Sequence, residues 1–263
     1  MNSVQVTVFE VGRLRFDLAE AYGAEAARGV PAAAAVIPVQ AFHLALPGRS
    51  VMVDAPHYDE RDTPDAYLLP GYRPPPPLEA QLRDRGIAPE DVTDVIITHL
   101  HFDHYGALAH GEGGAARPTF PNARHYLGRG DWPPAADEDL SLAARTVGVV
   151  EAHGLLELVD GDADLGDGLG VVAAPGESPG HQLARAQLGS DVVYVVGDLF
   201  HHALEFRGNG ADVCWVDAKA MAGSKRALAT RAADERARVY ISHITGAYRV
   251  ARSCGGFKWV RSA

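Results

Sequence analysis

Thr98-His99-Leu100-His101-Phe102-Asp103-His104 packs three imidazoles and a carboxylate into six consecutive residues from position 99. The stretch follows Asp94-Val95-Ile96-Ile97, a short β-branched run bounded by polar residues, which reads as a buried strand. The histidines therefore leave the end of a strand and enter a loop before Gly106. In an extended segment His99 and His101, two apart, point to the same side. Asp103 and His104 are adjacent and share that side only if the chain turns, which suits a loop wrapped around a bound ion. Neutral imidazole and carboxylate are the donors that suit zinc and its neighbours in the transition series. A merely solvated polar turn is the competing reading, and the density of the cluster argues against it.

Upstream of this stretch, residues 4–9 alternate apolar and polar and read as a first strand. The Ala- and Gly-rich segment from Leu18 to Ala35 reads as a short surface helix plus loop, with a flap near the site as the alternative. Residues 42–46 and 50–54 form a hairpin turned by Pro47-Gly48, and Asp54 closes its second strand. Five prolines between 70 and 77 exclude regular structure there. Pro77 then opens a helix over 78–85 that Gly86 stops. This β-α-β order puts the histidine cluster at a strand's carboxyl end, where open α/β sheets bind ligands.

Downstream, residues 105–110 read as the start of a helix, 123–127 as a strand and 140–153 as an amphipathic helix ending at Gly154. Residues 155–159, 169–174, 183–188 and 192–196 read as four successive strands separated by Gly- and Asp-containing turns. A helix over 218–236, a strand over 238–242 and a last strand over 257–260 complete the pattern. No repeat of 20–50 residues is present, which argues against a solenoid. Residues 1–263 read as one α/β domain.

The bulk composition narrows the partners. A hydrophobic content of 47% with 22% charged residues is ordinary for a soluble globular protein, and 263 residues suffice for a substantial core. The formal charge of -10, from 24 basic and 34 acidic side chains, argues against nucleic acid, which needs clustered Lys and Arg. No apolar run approaches the ~20 residues that span a bilayer, and no signal peptide is apparent, so the expectation is a cytoplasmic protein with no membrane partner. The two cysteines, Cys214 and Cys254, fit a reducing compartment and read as buried or incidental thiols.

Three more strand ends carry ligand chemistry. Pro179-Gly180-His181 follows the strand ending at Ala174, Gly197-Asp198 follows Val192-Val193-Tyr194-Val195-Val196, and Ser242-His243 follows Val239-Tyr240-Ile241. Each alone is a mundane turn residue; together with the first motif they are specific. From Phe42 to His243 the chain resembles the metallo-β-lactamase-fold hydrolases. The resemblance runs through Asp54, His99-x-His101-x-Asp103-His104, Pro-Gly-His181, Gly-Asp198 and His243, in family order, with Phe120-Pro121-Asn122-Ala123 also familial. Within that superfamily the set is similar to the dinuclear branch that includes N-acyl-homoserine lactonases and related ester hydrolases. It implies a four-layer αββα sandwich of the metallo-β-lactamase type, two mixed β-sheets flanked by helices.

Carried over by position, the resemblance implies that His99, His101 and His181 hold one metal ion. Asp103, His104 and His243 would hold the other, with Asp198 bridging the two. Asp54 would orient a ligand histidine through its other ring nitrogen. The cofactors implied are two divalent ions, with Zn2+ as first choice and Fe, Mn or Co compatible. The chemistry implied is hydrolysis of an ester-type bond, a lactone or carboxylic ester first, by a metal-bridging hydroxide formed from a bound water whose pKa falls from 15.7 to roughly 7. Asp103 and His201 are the catalytic candidates: His201 stands where the lactonases have a tyrosine, and would hold the oxyanion or protonate the leaving group.

Other readings compete. A thioesterase, a β-lactamase or an organophosphate hydrolase of the same fold shares the site, although no basic glutathione-binding C-terminal region is evident. An iron dioxygenase uses one metal, which the second ligand set disfavours, and no Gly-x-Ser-x-Gly elbow supports a serine hydrolase. A metal-binding module without turnover is the non-enzyme reading. The expected partner is a small-molecule substrate, and a homodimer is left open. His202 reads as structural, and His43, His57, His110, His125 and His153 lack ligand context. Phe102, Tyr105, Phe200, Phe206 and Trp215 read equally well as pocket or core.

Overall fold

A computed structural model describes residues 3–28, 30, 36–111, 113–133, 140–207 and 212–262. Its elements in chain order are β1 (Gln5–Arg15), α1 (Leu18–Tyr22), β2 (Val36–Leu46), β3 (Arg49–Val53), α2 (Leu78–Asp84), β4 (Asp94–Ile97), α3 (Phe102–Tyr105), β5 (Ala109–His110), β6 (Arg117–Pro118) and β7 (Arg124–Gly128). They continue with α4 (Leu140–Arg145), α5 (Val147–Ala152), β8 (Leu156–Val159), β9 (Ala163–Gly166), β10 (Leu169–Ala173), β11 (Gln182–Leu188), β12 (Asp191–Val195), α6 (Ala218–Asp234), β13 (Arg238–Ile241), β14 (Ile244–Ser253) and β15 (Gly256–Arg261). One mixed sheet has the order β1-β2-β3-β4-β7-β8 and the other β15-β14-β13-β12-β11-β10-β9; β5 and β6 pair apart from both.

Alternation along the strands explains the layers. In β3, Val51 and Val53 face the other sheet while Met52 faces the helices; in β4, Ile96 faces inward and Val95 and Ile97 outward. In β12, Val193 and Val195 share the inter-sheet core, while Val192 and Tyr194 pack under α6 with Met221, Leu228 and Ala232. Residues two apart share a face of a strand, so one short sequence serves two cores. Leu78 and Leu82 of α2, with Val147 and Val150 of α5, cover the outer face of the first sheet. Helix, sheet, sheet and helix thus stack in the four layers that the family resemblance implies. Among the described residues no helix is long and apolar enough to cross a membrane.

Several local expectations need correction. Residues 105–110 do not begin a helix: α3 ends at Tyr105, and Ala109–His110 pairs with Arg117–Pro118. The Ala107 N–H donates to the Ala55 carbonyl at 2.7 Å and the Thr119 N–H to Leu108 at 2.9 Å, which draws the chain out of helical register. The helix expected over 140–153 is two helices broken at Thr146 (φ -125°, ψ -83°), whose hydroxyl donates back to the Leu142 carbonyl. β1 runs on to Arg15 through a bulge between Glu10 and Gly12, and β14 and β15 form a hairpin of which only 257–260 was expected. Of the segment from Leu18 to Ala35, α1 is a helix as expected, whereas residues 29 and 31–35 lie outside the described residues. Both cysteines are exposed free thiols rather than buried ones.

Candidate metal centre

Strand direction brings the predicted donors together. β3, β4 and β7 run parallel, as do β12 and β13, so their carboxyl ends open on one edge of the sandwich. Val195 pairs with Tyr240, and three residues beyond each stand Asp198 and His243. His181 reaches the same place because β11 is tied to the first sheet. The Gln182 N–H donates to the Thr98 carbonyl at 2.9 Å, and its side-chain amide donates to the Ile97 and Tyr126 carbonyls at 2.9 and 3.0 Å. Gly197, at φ +52°, passes so close that a Cβ there would lie 2.8 Å from both His181 Nε2 and Thr98 Oγ1. Only glycine fits, on space and on conformation.

The predicted residues converge in one cluster. Asp198 Oδ1 lies 3.2 Å from His104 Nε2 and 3.1 Å from His243 Nε2, and Oδ2 lies 3.8 Å from His99 Nε2. Asp103 Oδ2 is 3.5 Å from His243 Nε2. The His99 ring packs against those of His101, His104 and His181, with centroids 4.5, 4.2 and 5.2 Å away. His101, at the mouth, is the most exposed of the set.

The far ring nitrogens are held from behind. His104 Nδ1–H donates to Asp54 Oδ2 at 2.9 Å, and Asp54 also accepts the Thr98 N–H and hydroxyl, at 2.8 and 2.9 Å. Asp54 itself sits in the left-handed region at φ +59°, a costly backbone for a residue other than glycine. Two other rings are oriented by main chain: His181 Nδ1 by the Ala174 carbonyl at 3.0 Å, His243 Nδ1 by the Pro38 carbonyl at 2.8 Å. These contacts leave the Nε2 atoms of His104, His181 and His243 turned inward.

Electrostatics makes the centre ask for positive charge. Burial pushes His99 well below the ordinary histidine range, helped by His104 and His101, so it is a neutral donor. Burial also opposes charge on His104, but the Asp198, Asp103 and Asp54 carboxylates outweigh it and hold its pKa well above the usual value. His243 is raised in the same way, burial being outweighed chiefly by Asp198. Among the described residues, His99 Nε2, His104 Nε2, Asp198 Oδ1 and Glu177 Oε2 are buried without a hydrogen-bond partner. The 3.2 Å approach of His104 Nε2 to Asp198 is therefore a charge contact without hydrogen-bond alignment. Orphaned buried donor atoms facing one another are what a bound cation would satisfy, so the residues fit a metal pair.

Two carboxylates were not anticipated. Glu177 is fully buried, its Oε1 lying 3.1 Å from His101 Nδ1 and 3.4 Å from His201 Nε2 while accepting the Trp215 indole N–H at 2.9 Å. Glu205 accepts the His201 N–H at 2.8 Å and the Tyr22 hydroxyl at 2.5 Å, and contacts Lys225. The only sequence signal for Glu177 is its position four residues before His181; Glu205 has the i, i+4 relation to His201. His201 itself reaches the centre, with Nε2 3.3 Å from Asp198 Oδ2. A cavity of about 520 Å³ opens over Asp103, Asp198, His201 and His243, with Phe16 and Trp215 on its wall. Phe102 also faces it, whereas Tyr105 and Phe200 belong to the cores.

Comparison with known proteins agrees with this architecture. The family profile described as the Metallo-beta-lactamase superfamily matches residues 70–243, and the chain belongs to that family. N-acyl homoserine lactonase AttM of Azorhizobium caulinodans is 34% identical over 111 residues, and that of Agrobacterium fabrum 32% identical over 110. These matches span 39% of this chain and 39% and 38% of the two relatives. The solved structure of hydrolase AbOPH of the beta lactamase superfamily superposes with a TM-score of 0.80 at 16% identity, covering 100% of this chain and 96% of its own. AidC, a dizinc quorum-quenching lactonase in complex with a product, gives 0.75 at 19% identity, covering 99% and 95%.

Proposed function

We propose that this chain is a dinuclear metal-dependent hydrolase of ester-type bonds, with a lactone or carboxylic ester as its substrate. The observation that carries the reading is Asp198, whose oxygens lie 3.2 and 3.1 Å from His104 and His243 of one predicted ligand group and 3.8 Å from His99 of the other. In this reading His99, His101 and His181 would hold one ion and Asp103, His104 and His243 the other, with Asp198 placed to serve both. Two such ions, zinc first, supply hydroxide at neutral pH and draw charge from a carbonyl oxygen. The chain's own groups do the rest. Apolar side chains along the cavity, Leu14, Phe16, Ile37 and Trp215 among them, exclude water and hold the substrate's apolar part. His201, buried against Asp198 and Glu177, offers an N–H to the oxygen that gains charge or departs.

The lactonase relatives support the lactone as substrate, and the fold neighbours share the architecture. Two exposed free thiols accord with a cytoplasmic setting. The test is Asp198→Ala, assayed for metal content and for turnover of a panel of lactones, esters, thioesters, β-lactams and phosphotriesters. Loss of both metal and turnover is expected; full turnover by a metal-free variant refutes the reading. A thioesterase or phosphotriesterase would declare itself by the panel member turned over fastest.

A further inference from the structure

The turn between β10 and β11, Pro175-Gly176-Glu177-Ser178-Pro179-Gly180-His181, delivers two donor side chains to the centre. It is clamped in place: the Asp217 N–H at the start of α6 donates to the Gly176 carbonyl at 2.9 Å, while Asp131 accepts the Ser178 hydroxyl at 2.7 Å and the Gly180 N–H at 2.6 Å. Of the two donors, His181 already belongs to the ligand set above, and an ion there would take its Nε2 lone pair from the Asp198 N–H. Its Nδ1–H faces the Ala174 carbonyl, so Nε2 is the acceptor, and the Asp198 N–H donates to it at 3.2 Å. Glu177 is the reverse case. Its Oε1 is held by Trp215 and lies beside His101 and His201, but Oε2, fully buried, has no partner among the described residues.

His99, His101, Glu177 and Asp198 each offer one ligand atom such that all four lie within 4.8 Å of one another. An ion bound at about 2.0–2.2 Å to nitrogen and oxygen closes that spread with small inward movements. No cationic side chain other than imidazole touches Glu177, among the described residues, to explain a buried carboxylate. We propose that Glu177 is a direct ligand of the ion held by His99 and His101, so that this position carries two carboxylates, Glu177 and the bridging Asp198. The inference rests on the two-ion reading above and adds a donor to it. Its chemical consequence is a harder donor set, which favours manganese and iron relative to zinc more than an all-imidazole face would.

The decisive measurement is a crystal structure of the full chain loaded with zinc, the ions placed by anomalous scattering. A Glu177 oxygen at about 2.0–2.2 Å from one ion is expected. Two ions present with Glu177 farther than about 3 Å from both would overturn the inference and leave the two-ion reading standing. No ion among the seven predicted side chains would overturn both. In solution, Glu177→Gln and Glu177→Ala, each checked for native circular dichroism, are compared with wild type for zinc content after dialysis against a chelator. Wild type retaining two ions and the variants about one is the expected outcome. Variants that keep two ions with dissociation constants within about twofold of wild type count against the proposal.

Discussion

His201 faces carboxylates on three sides, Glu177 and Asp198 at 3.4 and 3.3 Å from Nε2 and Glu205 at 3.6 Å from Nδ1, with neither ring nitrogen hydrogen-bonded among the described residues, while Glu205 accepts its main-chain N–H. Burial opposes a charge on it, and the Glu177 and Asp198 carboxylates reverse that and raise its pKa well above the ordinary value. Its ring also stacks on Phe16 and stands edge-on to Trp215. His201→Phe keeps those aromatic contacts and deletes the N–H, so turnover should fall about a hundredfold with metal content unchanged. A variant with native metals and full rate removes His201 from the chemistry. A second residue gives a pH signature away from the centre. Burial lowers His125 to about 4, with only the Ala123 carbonyl favouring its charge. Neutral in the folded chain and near 6.5 when unfolded, it contributes stability that is full above pH 6.5 and is lost as pH falls towards 4. Between pH 7 and 5 this amounts to about 2 kcal/mol. In urea unfolding at the two pH values, His125→Leu should lose correspondingly less stability on acidification than wild type. At this scale the sequence was most legible where donors crowd into His99–His104. Glu177 was nearly invisible because its one signal, standing four residues before His181 in a Pro-Gly turn, fits a solvated loop glutamate equally well.

Among the elements, the turns decide the geometry more than the helices do. The end of β7 passes so near the turn before β11 that a Cβ on Gly128 would lie 1.9 Å from the Gly180 carbonyl oxygen. Gly128→Ala must push back the turn carrying Glu177 and His181, so we expect a loss of about 1–3 kcal/mol in denaturant unfolding together with weakened metal retention. An alanine variant with wild-type stability would show that the turn adapts freely. The strands were readable because period-two alternation places Val51, Val53, Val193 and Val195 in one core and Met52, Val192 and Tyr194 in others. The placement of Asp198 and His243 at strand ends was legible too, since each follows an apolar run. The break between α4 and α5 was harder to see. Apolar periodicity continues through it, and only Thr146-Val147-Gly148-Val149, a run of weak helix formers, hints at the interruption. β14 and β15 form the edge of their sheet, largely exposed, and so lack the hydrophobic pattern that revealed the central strands.

For the whole molecule, the centre lies where the two sheets meet. His99, His101, Asp103 and His104 come from the first sheet's side; His181, Asp198 and His243 come from the second. Ions held between them would bind the folded chain alone and hold its halves together. Chelation should therefore lower the melting temperature, by about 10–20 °C if both ions are present at a hundredfold over their dissociation constants, and added zinc should restore it. Identical melting curves with and without chelator would mean that no ion couples the sheets. One more consequence follows from how the rings are steadied. His181 and His243 lean on the carbonyls of Ala174 and Pro38, groups that every amino acid possesses, whereas His104 leans on the Asp54 carboxylate. Positions 174 and 38 are thereby free to drift in evolution as far as ring alignment is concerned. Position 54 is not: a mutational scan should find metal retention lost on exchange there, while small replacements at the other two leave it intact.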